Sequence, residues 1–188
     1  AYDELIQGYA LARSFQNLIP RKHLADAPRN VMKVLYPMPF KDKVFAAADS
    51  SIDPLFVYSV MRQESTFNYL ITSPANACGL LQIIPPTAKK LAKAEGLKSF
   101  SPKLLYNPYV NIRLGVRYLK DLLVEYENDP MYVLANYNAG PRPAKRWQAA
   151  GKNLPWDLRA EEISYWETRD YVKRVIGNYW VYAEVWNR

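Results

Sequence analysis

Hydrophobic residues recur along most of the chain at the spacing that is typical of α-helices. Residues 3–18 form one amphipathic segment of this kind. Three later segments begin with Asp or Asn followed by proline, a pair that caps a helix and occupies its first turn. These starts are Asp53-Pro54, Asn107-Pro108 and Asp129-Pro130. The pattern therefore predicts an all-α chain.

Glycines mark the ends of several predicted helices, because glycine readily adopts the backbone conformation that stops a helix. The helix that starts at Pro130 is predicted to end at Gly140. Two more helices are predicted over about 86–95 and 143–150, ending at Gly96 and Gly151. A final helix is predicted over 167–187, and we interpret its aromatic residues as core packing: Tyr179, Trp180 and Trp186.

Two stretches interrupt this helical pattern. Residues 19–43 are rich in Pro, Lys and Arg, and we interpret them as a short helix and a linker, with a domain boundary near residue 37. Residues 1–36 would then be a helical appendage and residues 37–188 the main domain. Residues 68–84 combine Ser, Pro, Asn and Gly with a short apolar piece, which predicts a small β-hairpin or an extended turn.

Composition narrows the classes of function. A chain of 188 residues with 49% hydrophobic residues suits one compact domain. The net charge of +7 favours polyanionic partners, and it leaves nucleic acid, anionic lipid and cell-wall polymer open. One Cys and one His argue against a disulfide and a Cys- or His-rich metal site, so no metal or cofactor is expected.

The ends and the hydropathy of the chain bear on its location. The sequence begins with Ala and shows no signal peptide, which indicates a mature product or a fragment. The longest apolar stretch, Leu55–Met61, is too short to cross a bilayer, so no transmembrane segment is expected. The sequence shows no helix-turn-helix pattern and no basic run, which argues against nucleic acid as the partner.

The helix that begins at Pro54 is apolar almost all round and ends in Arg62-Gln63-Glu64-Ser65. Such a helix is buried, so it carries a carboxyl group to its own C-terminal end. Apolar surroundings and the negative end of the helix dipole both disfavour the ionised form, which should raise the pKa of Glu64. A general acid needs that shift. The alternative is an ordinary exposed glutamate paired with Arg62.

Three sequence blocks resemble the signature of the lytic transglycosylases, and they occur in the same order. The first contains Glu64-Ser65, then Ser73, and then Gly79–Gln82 (Gly-Leu-Leu-Gln) with Pro and Thr-Ala following. The second is Ala135–Pro141 (Ala-Asn-Tyr-Asn-Ala-Gly-Pro). The third is Glu162-Ile163 followed by Glu167–Val172 (Glu-Thr-Arg-Asp-Tyr-Val). Together they anchor about residues 45–185. Residues 1–36 contain no such block, and the resemblance implies that they are the end of a larger upstream helical domain, as in larger members of the family.

The resemblance implies a helical fold like that of goose-type lysozyme, with a cleft for glycan. Glu64 would be the catalytic acid and base. Ser73 would contact the N-acetyl group of the substrate or orient Glu64, and otherwise it only caps a turn. Gln82 would bind sugar in the cleft, and otherwise it satisfies backbone groups. Ile84 takes the place of a methionine that contacts sugar in the family.

The second and third blocks supply the remaining expected site residues. Tyr137 would form a hydrogen bond near Glu64 or near the reacting sugar, unless it is a core residue. Asn138 would support the adjacent turn. Glu162 would bind sugar or steady the far wall, unless it is a surface residue. Two departures from the family pattern, Arg142-Pro143 and Ser164-Tyr165, bear on fine substrate preference.

The implied activity is cleavage of the β-1,4 bond between N-acetylmuramic acid and N-acetylglucosamine in peptidoglycan, with formation of 1,6-anhydromuramic acid ends. The implied location is the bacterial periplasm or cell envelope, with glycan strands as the partner. Two alternatives remain. A lysozyme-like hydrolase would need a second acid, for which Asp170, Glu161 and Glu162 are candidates. A non-catalytic peptidoglycan-binding protein would have no use for Glu64.

Overall fold

The computed structural model describes residues 4, 7–11, 14 and 27–187 of the chain, and its regular elements there are helices. Two of these are 3₁₀ helices, Pro102–Tyr106 and Ala160–Glu162. The α-helices within these ranges are α1 (Arg29–Leu35), α2 (Lys41–Ala48), α3 (Pro54–Ser65), α4 (Pro85–Ala94), α5 (Pro108–Glu125), α6 (Pro130–Ala139), α7 (Pro141–Gly151), α8 (Trp156–Arg159) and α9 (Trp166–Trp186). The all-α prediction is confirmed.

The three helix starts predicted from Asp-Pro and Asn-Pro pairs are confirmed. The side chains of Asp53, Asn107 and Asp129 each accept a hydrogen bond from a backbone N–H in the first turn of α3, α5 and α6. The predicted end of α6 is also confirmed, since Gly140 follows it with φ 84° and ψ 173°. This positive φ turns the chain straight into α7.

Helix α7 begins two residues earlier than predicted, at Pro141. The prolines at 141 and 143 fit there, because the first N–H groups of a helix have no partner within it. The other predicted boundaries lie within a residue of α4 and α9.

The prediction of one short helix and a linker over residues 19–43 was too coarse, because it missed the start of a further helix. Its described part holds α1 and the start of α2, separated by Tyr36–Phe40. Helix α2 was missed because it has no cap signature: Phe40 precedes it with φ 56° and forms no side-chain cap. Of the predicted helix 3–18, residues 4, 7–11 and 14 are helical, and the rest lies outside the described residues.

No β-ladder forms in the described part of the chain between residues 68 and 84. Of the two predicted forms, a small hairpin or an extended turn, the structure has the extended turn, with two isolated antiparallel bridges, Thr72 with Cys78 and Cys78 with Ile83. The fully buried Asn111 of α5 fixes the turn: its Oδ1 accepts from the N–H of Leu81 at 2.8 Å, and its Nδ2 donates to the carbonyl of Cys78 at 2.9 Å.

Two glycines let this turn approach its neighbours. A Cβ on Gly79, which has φ 76°, would lie 2.3 Å from the carbonyl oxygen of Leu105. A Cβ on Gly115 of α5 would lie 2.3 Å from Cδ1 of Leu81. Any side chain here would push the turn off α5. We call residues 71–84 the site turn.

Helix α3 lies in the centre of the fold, with every residue from Leu55 to Met61 buried. Helix α9 packs along it, α6 packs against α7 and α9, and α2 packs against α5. Tyr179 and Trp186 pack against the core as predicted, but the prediction is wrong for Trp180, which is 64% exposed. Trp180 follows Tyr179 directly, so it lies about 100° around the helix from the apolar face.

The N-terminal residues contact the rest of the fold. The ring of Tyr9 meets the ring of Phe67 edge-on at 5.2 Å, and the Arg29 side chain donates to the carbonyl of Val185. The division into residues 1–36 and 37–188 stays a prediction. Within the described ranges, no helix has the length and apolar character that a bilayer-spanning segment needs.

Candidate active site

Glu64 lies in the last turn of α3, where the chain changes direction sharply. Thr66 and Phe67 follow it with φ 53° and 65°, and the N–H of Thr66 closes the helix on the carbonyl of Arg62. Consecutive non-glycine residues in this conformation are uncommon, and packing must hold them there. The buried Phe67, only 1% exposed, provides that packing. Glu64 is thereby held at a rigid helix end.

The carboxyl group of Glu64 is half-buried and accepts one hydrogen bond. The hydroxyl of Tyr171, on α9, donates to Oε1 at 2.6 Å. Burial raises the pKa of Glu64 from 4.5 to about 7, because the surroundings solvate the anion poorly. The bond from Tyr171 favours the anion and limits the rise. A pKa near neutrality suits a group that first donates and then accepts a proton.

Arg62 does not pair with Glu64. Residues two apart on a helix point to different sides. The Arg62 guanidinium instead donates to the carbonyl of Leu35 and lies over the rings of Tyr36 and Tyr9, at 4.0 and 5.2 Å from their centroids. This cation therefore does not form the ion pair that would have lowered the pKa of Glu64.

Tyr137, on α6, connects the carboxyl region to the site turn. Its hydroxyl donates to the carbonyl of Leu81 at 2.6 Å. Burial raises the pKa of Tyr137 well above its usual value, and the negative charge of Glu64 raises it further. The hydrogen bond of Tyr137 goes to the backbone of the site turn and not to Glu64. The pKa of Tyr171 is raised for the same two reasons.

The three expected residues of the site turn form bonds within the turn or face solvent. The Oγ of Ser73 accepts from the N–H of Ala77 at 3.1 Å. The amide nitrogen of Gln82 donates to the carbonyls of Gly79 and Ile71 at 2.8 and 3.3 Å, so its amide oxygen is the remaining acceptor. Ile84 is 42% exposed, just before α4.

Asn138 and Glu162 are both exposed. Oδ1 of Asn138 accepts from the hydroxyl of Thr168 at 2.7 Å, and this ties the end of α6 to the helix that carries Tyr171. Glu162 ends the second 3₁₀ helix, just before α9. Among the described residues, no hydrogen bond links either side chain to Glu64.

The other acids considered for a hydrolase are engaged elsewhere. Asp170 accepts from Arg174 at 2.6 Å. Glu161 accepts from Arg169 and Lys173 at 3.1 and 2.7 Å, and the pKa of Glu161 is lowered, chiefly by the bond from Lys173. Neither bonds to the Glu64–Tyr171 pair. The site therefore presents one carboxyl group with a raised pKa.

Tyr171 belongs to the third sequence block, but the sequence alone assigns it no role. Its bond to Glu64 spans 107 positions, which no local pattern reveals. Its membership of the third block was the one sequence feature that pointed to a role in the site.

No group of three or more His, Cys, Asp or Glu is placed to hold a metal ion in the ranges that the structure describes. The carboxyl group of Glu64 can transfer a proton, and the hydroxyl group of Tyr171 can orient that carboxyl group.

We expect Tyr171→Phe to raise the pKa of Glu64 above about 7. The phenol's bond stabilises the anion, and a bond to a charged group contributes about 1.5–3 kcal/mol, or roughly one to two pKa units. In an assay of the glycan cleavage that the resemblance implies, the alkaline limb of the plot of kcat/KM against pH should therefore shift to higher pH. Tyr182→Phe is the matched control, since Tyr182 lies on the same helix and donates to the carbonyl of Pro37. An alkaline limb that stays in place in Tyr171→Phe would contradict the assigned bond.

The raised pKa also predicts how stability depends on pH. Below pH 4.5 the folded and unfolded chains both hold the Glu64 proton. Between 4.5 and about 7 only the unfolded chain releases it, so the free energy of unfolding falls as pH rises, by about 3 kcal/mol in all. Glu64→Gln cannot ionise and should escape this loss.

Urea unfolding of both proteins at about pH 4 and about pH 8 measures this effect. The stability of Glu64→Gln relative to the parent should increase from the lower to the higher pH. Other titrating groups cancel in that difference, because both proteins share them. An equal difference at both values would contradict the raised pKa.

The chain is similar to proteins of one known family. Residues 44–158 match the family described as "Transglycosylase SLT domain". The soluble lytic murein transglycosylase of Escherichia coli K12 is 31% identical over 174 residues, which are 90% of this chain and 27% of that protein. The Salmonella typhimurium protein of the same name is 34% identical over 129 residues, 67% of this chain and 20% of that one.

A solved structure extends the similarity to the fold. The inactive Glu→Gln mutant of lytic transglycosylase Slt from Pseudomonas aeruginosa aligns with a TM-score of 0.79 and 30% identity, over 99% of this chain and 31% of that chain. The helical, lysozyme-like fold class is thereby confirmed. The chain spans about a quarter of the length of the curated relatives it matches. It belongs to the Transglycosylase SLT domain family.

Proposed function

We propose that this domain cleaves the β-1,4 bond between N-acetylmuramic acid and N-acetylglucosamine in peptidoglycan and leaves 1,6-anhydromuramic acid ends. The observation that carries the proposal is the half-buried carboxyl of Glu64, whose pKa is raised to about 7 and which Tyr171 orients. The relatives are named soluble lytic murein transglycosylases, which supports peptidoglycan as the substrate. The proposed location is the bacterial periplasm or cell envelope.

The reaction needs one carboxyl group if the substrate supplies the remaining groups. Protonated Glu64 donates its proton to the glycosidic oxygen as the bond from that oxygen to C1 of the muramic acid breaks. The N-acetyl oxygen of the same sugar stabilises C1. The Glu64 anion then removes the proton from the C6 hydroxyl, whose oxygen bonds to C1 and closes the anhydro ring. The proton returns to Glu64, and no water is consumed.

The surroundings of Glu64 suit both halves of this cycle. Burial keeps the carboxyl protonated for the first step, and the Tyr171 bond stabilises the anion that the second step uses. Because attack comes from the same sugar, correct positioning contributes much of the rate enhancement. We assign that positioning to Ser73, Gln82, Ile84, Asn138 and Glu162, with Tyr137 holding the site turn.

Product analysis tests the proposal. The domain is incubated with purified peptidoglycan, and the soluble fragments are analysed by mass spectrometry. Anhydro ends, lighter than reducing ends by one water, are expected. Reducing muramic acid ends would indicate a lysozyme-like hydrolase instead. Binding of peptidoglycan without release of fragments would indicate a non-catalytic binding protein.

A further inference from the structure

A groove opens where α3 begins, beside the later turns of α9. Its volume is about 320 Å³, within the range of small-ligand sites. Trp180 of α9 and Trp156 of α8 line it, and these indoles are 64% and 46% exposed. Phe56 and Tyr179 contribute apolar surface between them. Exposed indoles gathered at one concave surface are a typical mark of a binding site.

The aromatic surface of this groove is held in a defined orientation. The hydroxyl of Tyr179 donates to Oδ2 of Asp53 at 2.8 Å. Oδ1 of the same carboxylate caps α3 by accepting from the N–H of Leu55, so the carboxylate itself is fixed. The ring of Tyr179 meets those of Phe56 and Trp180 edge-on, at 6.4 and 5.6 Å. The groove therefore presents a pre-formed surface.

The rim of the groove is polar, which bears on the chemistry of its ligand. Asp53, Ser51 and Asn128 are exposed and line the groove beside the indoles. A purely apolar peptide would leave these groups facing carbon, at the cost of their hydration. A pyranose ring fits both parts, since its C–H face stacks on an indole while its hydroxyl and acetamido groups bond at the edges. Carbohydrate complements this surface better than an apolar helix does.

The position of the groove relative to Glu64 suits a polymer. Phe56 and Glu64 lie about 12 Å apart along the axis of α3, and Tyr179 and Tyr171 are separated equally along α9. A strand of several sugar rings spans such a distance. We propose that this groove is a second carbohydrate-binding site, which takes a short run of N-acetylated amino sugars and holds the polymer while Glu64 acts. The identity of the polymer rests on the proposed function.

Binding by an inactive protein tests the site without the complication of cleavage. Glu64→Gln protein is compared with the same protein carrying Trp180→Ala or Trp156→Ala. Trp166→Ala is the matched control, because Trp166 is 71% exposed on the same helix and does not line the groove. Thermal melts check folding. Co-sedimentation with insoluble peptidoglycan measures polymer binding, and calorimetry with the N-acetylglucosamine tetramer measures binding of a short probe.

Each groove substitution should weaken co-sedimentation by about tenfold and reduce the heat of tetramer binding, while Trp166→Ala changes neither. Unchanged binding in both groove variants would overturn the proposal. So would an equal loss in Trp166→Ala, which would indicate general adhesion of exposed indoles. A lower sedimentation coefficient in Trp180→Ala with unchanged tetramer binding would assign the groove to a second copy of the chain.

These outcomes are distinguishable from failure of the proposed function. That failure would appear in the products of the parent protein, as reducing ends or as no fragments. The comparison of binding between variants does not depend on which reaction products form. A parent without anhydro products whose groove variants still lose tetramer binding would retain the second site and lose the reaction.

Discussion

Glu64→Gln is expected to lower the rate of peptidoglycan cleavage by about 10³-fold, within the range that general acid–base groups contribute. Glutamine has nearly the same shape and can still accept the bond from Tyr171, which is 2.6 Å long in the parent. It cannot donate a proton to a leaving oxygen or accept one from a hydroxyl. The loss should therefore fall on kcat, with the affinity for glycan largely kept. Release of soluble fragments from purified peptidoglycan measures it.

Glu127→Gln is the control for this substitution, since Glu127 is exposed in the turn between α5 and α6. It should leave the rate unchanged. If Glu64→Gln kept the parent's rate, Glu64 would not be the catalyst.

Asn111→Ala should cause the largest loss of stability among the substitutions considered, about 3–5 kcal/mol. The Asn111 amide is fully buried and forms three hydrogen bonds with backbone groups, those of Leu81, Cys78 and Leu105. Alanine breaks all three in the interior. The midpoint of urea unfolding measures the loss.

Asn136→Ala is the matched control for a buried asparagine. Asn136 is 2% exposed, its Nδ2 donates to the hydroxyl of Tyr126, and its Oδ1 has no partner among the described residues. Its removal should cost only about 1 kcal/mol. If both variants lost the same stability, Asn111 would not be the residue that fixes the site turn. The Asn111→Ala protein that still folds should also cleave peptidoglycan slowly. Asn111 holds Leu81, and the carbonyl of Leu81 accepts the hydrogen bond from Tyr137.

Local chemistry explains which parts of the fold could be predicted. An Asp or Asn cap followed by proline acts within one helical turn, so α3, α5 and α6 were predicted at their true starts. Helix α2 could not be predicted in this way, because it follows Phe40 and has no cap. Helix α8 has only four residues, fewer than a periodic pattern requires.

The candidate site likewise has features that the sequence could predict and features that it could not. The apolar run before Glu64 predicted a buried carboxyl, and burial is the largest cause of its raised pKa. The partner of that carboxyl could not be predicted, because Tyr171 lies on another helix and only packing brings the two together. Exposure of Trp180 was likewise missed, since neighbouring residues on a helix can face core and solvent.

Helix α9 connects residues that are far apart along the chain. Its bonds to Glu64, Asp53, Pro37 and Tyr36 span 107, 126, 145 and 150 positions. Closing such long loops costs entropy before any contact compensates for it, and domains rich in distant contacts fold slowly. Refolding of this helical domain should therefore be slower than that of a bundle whose helices contact only their neighbours in sequence.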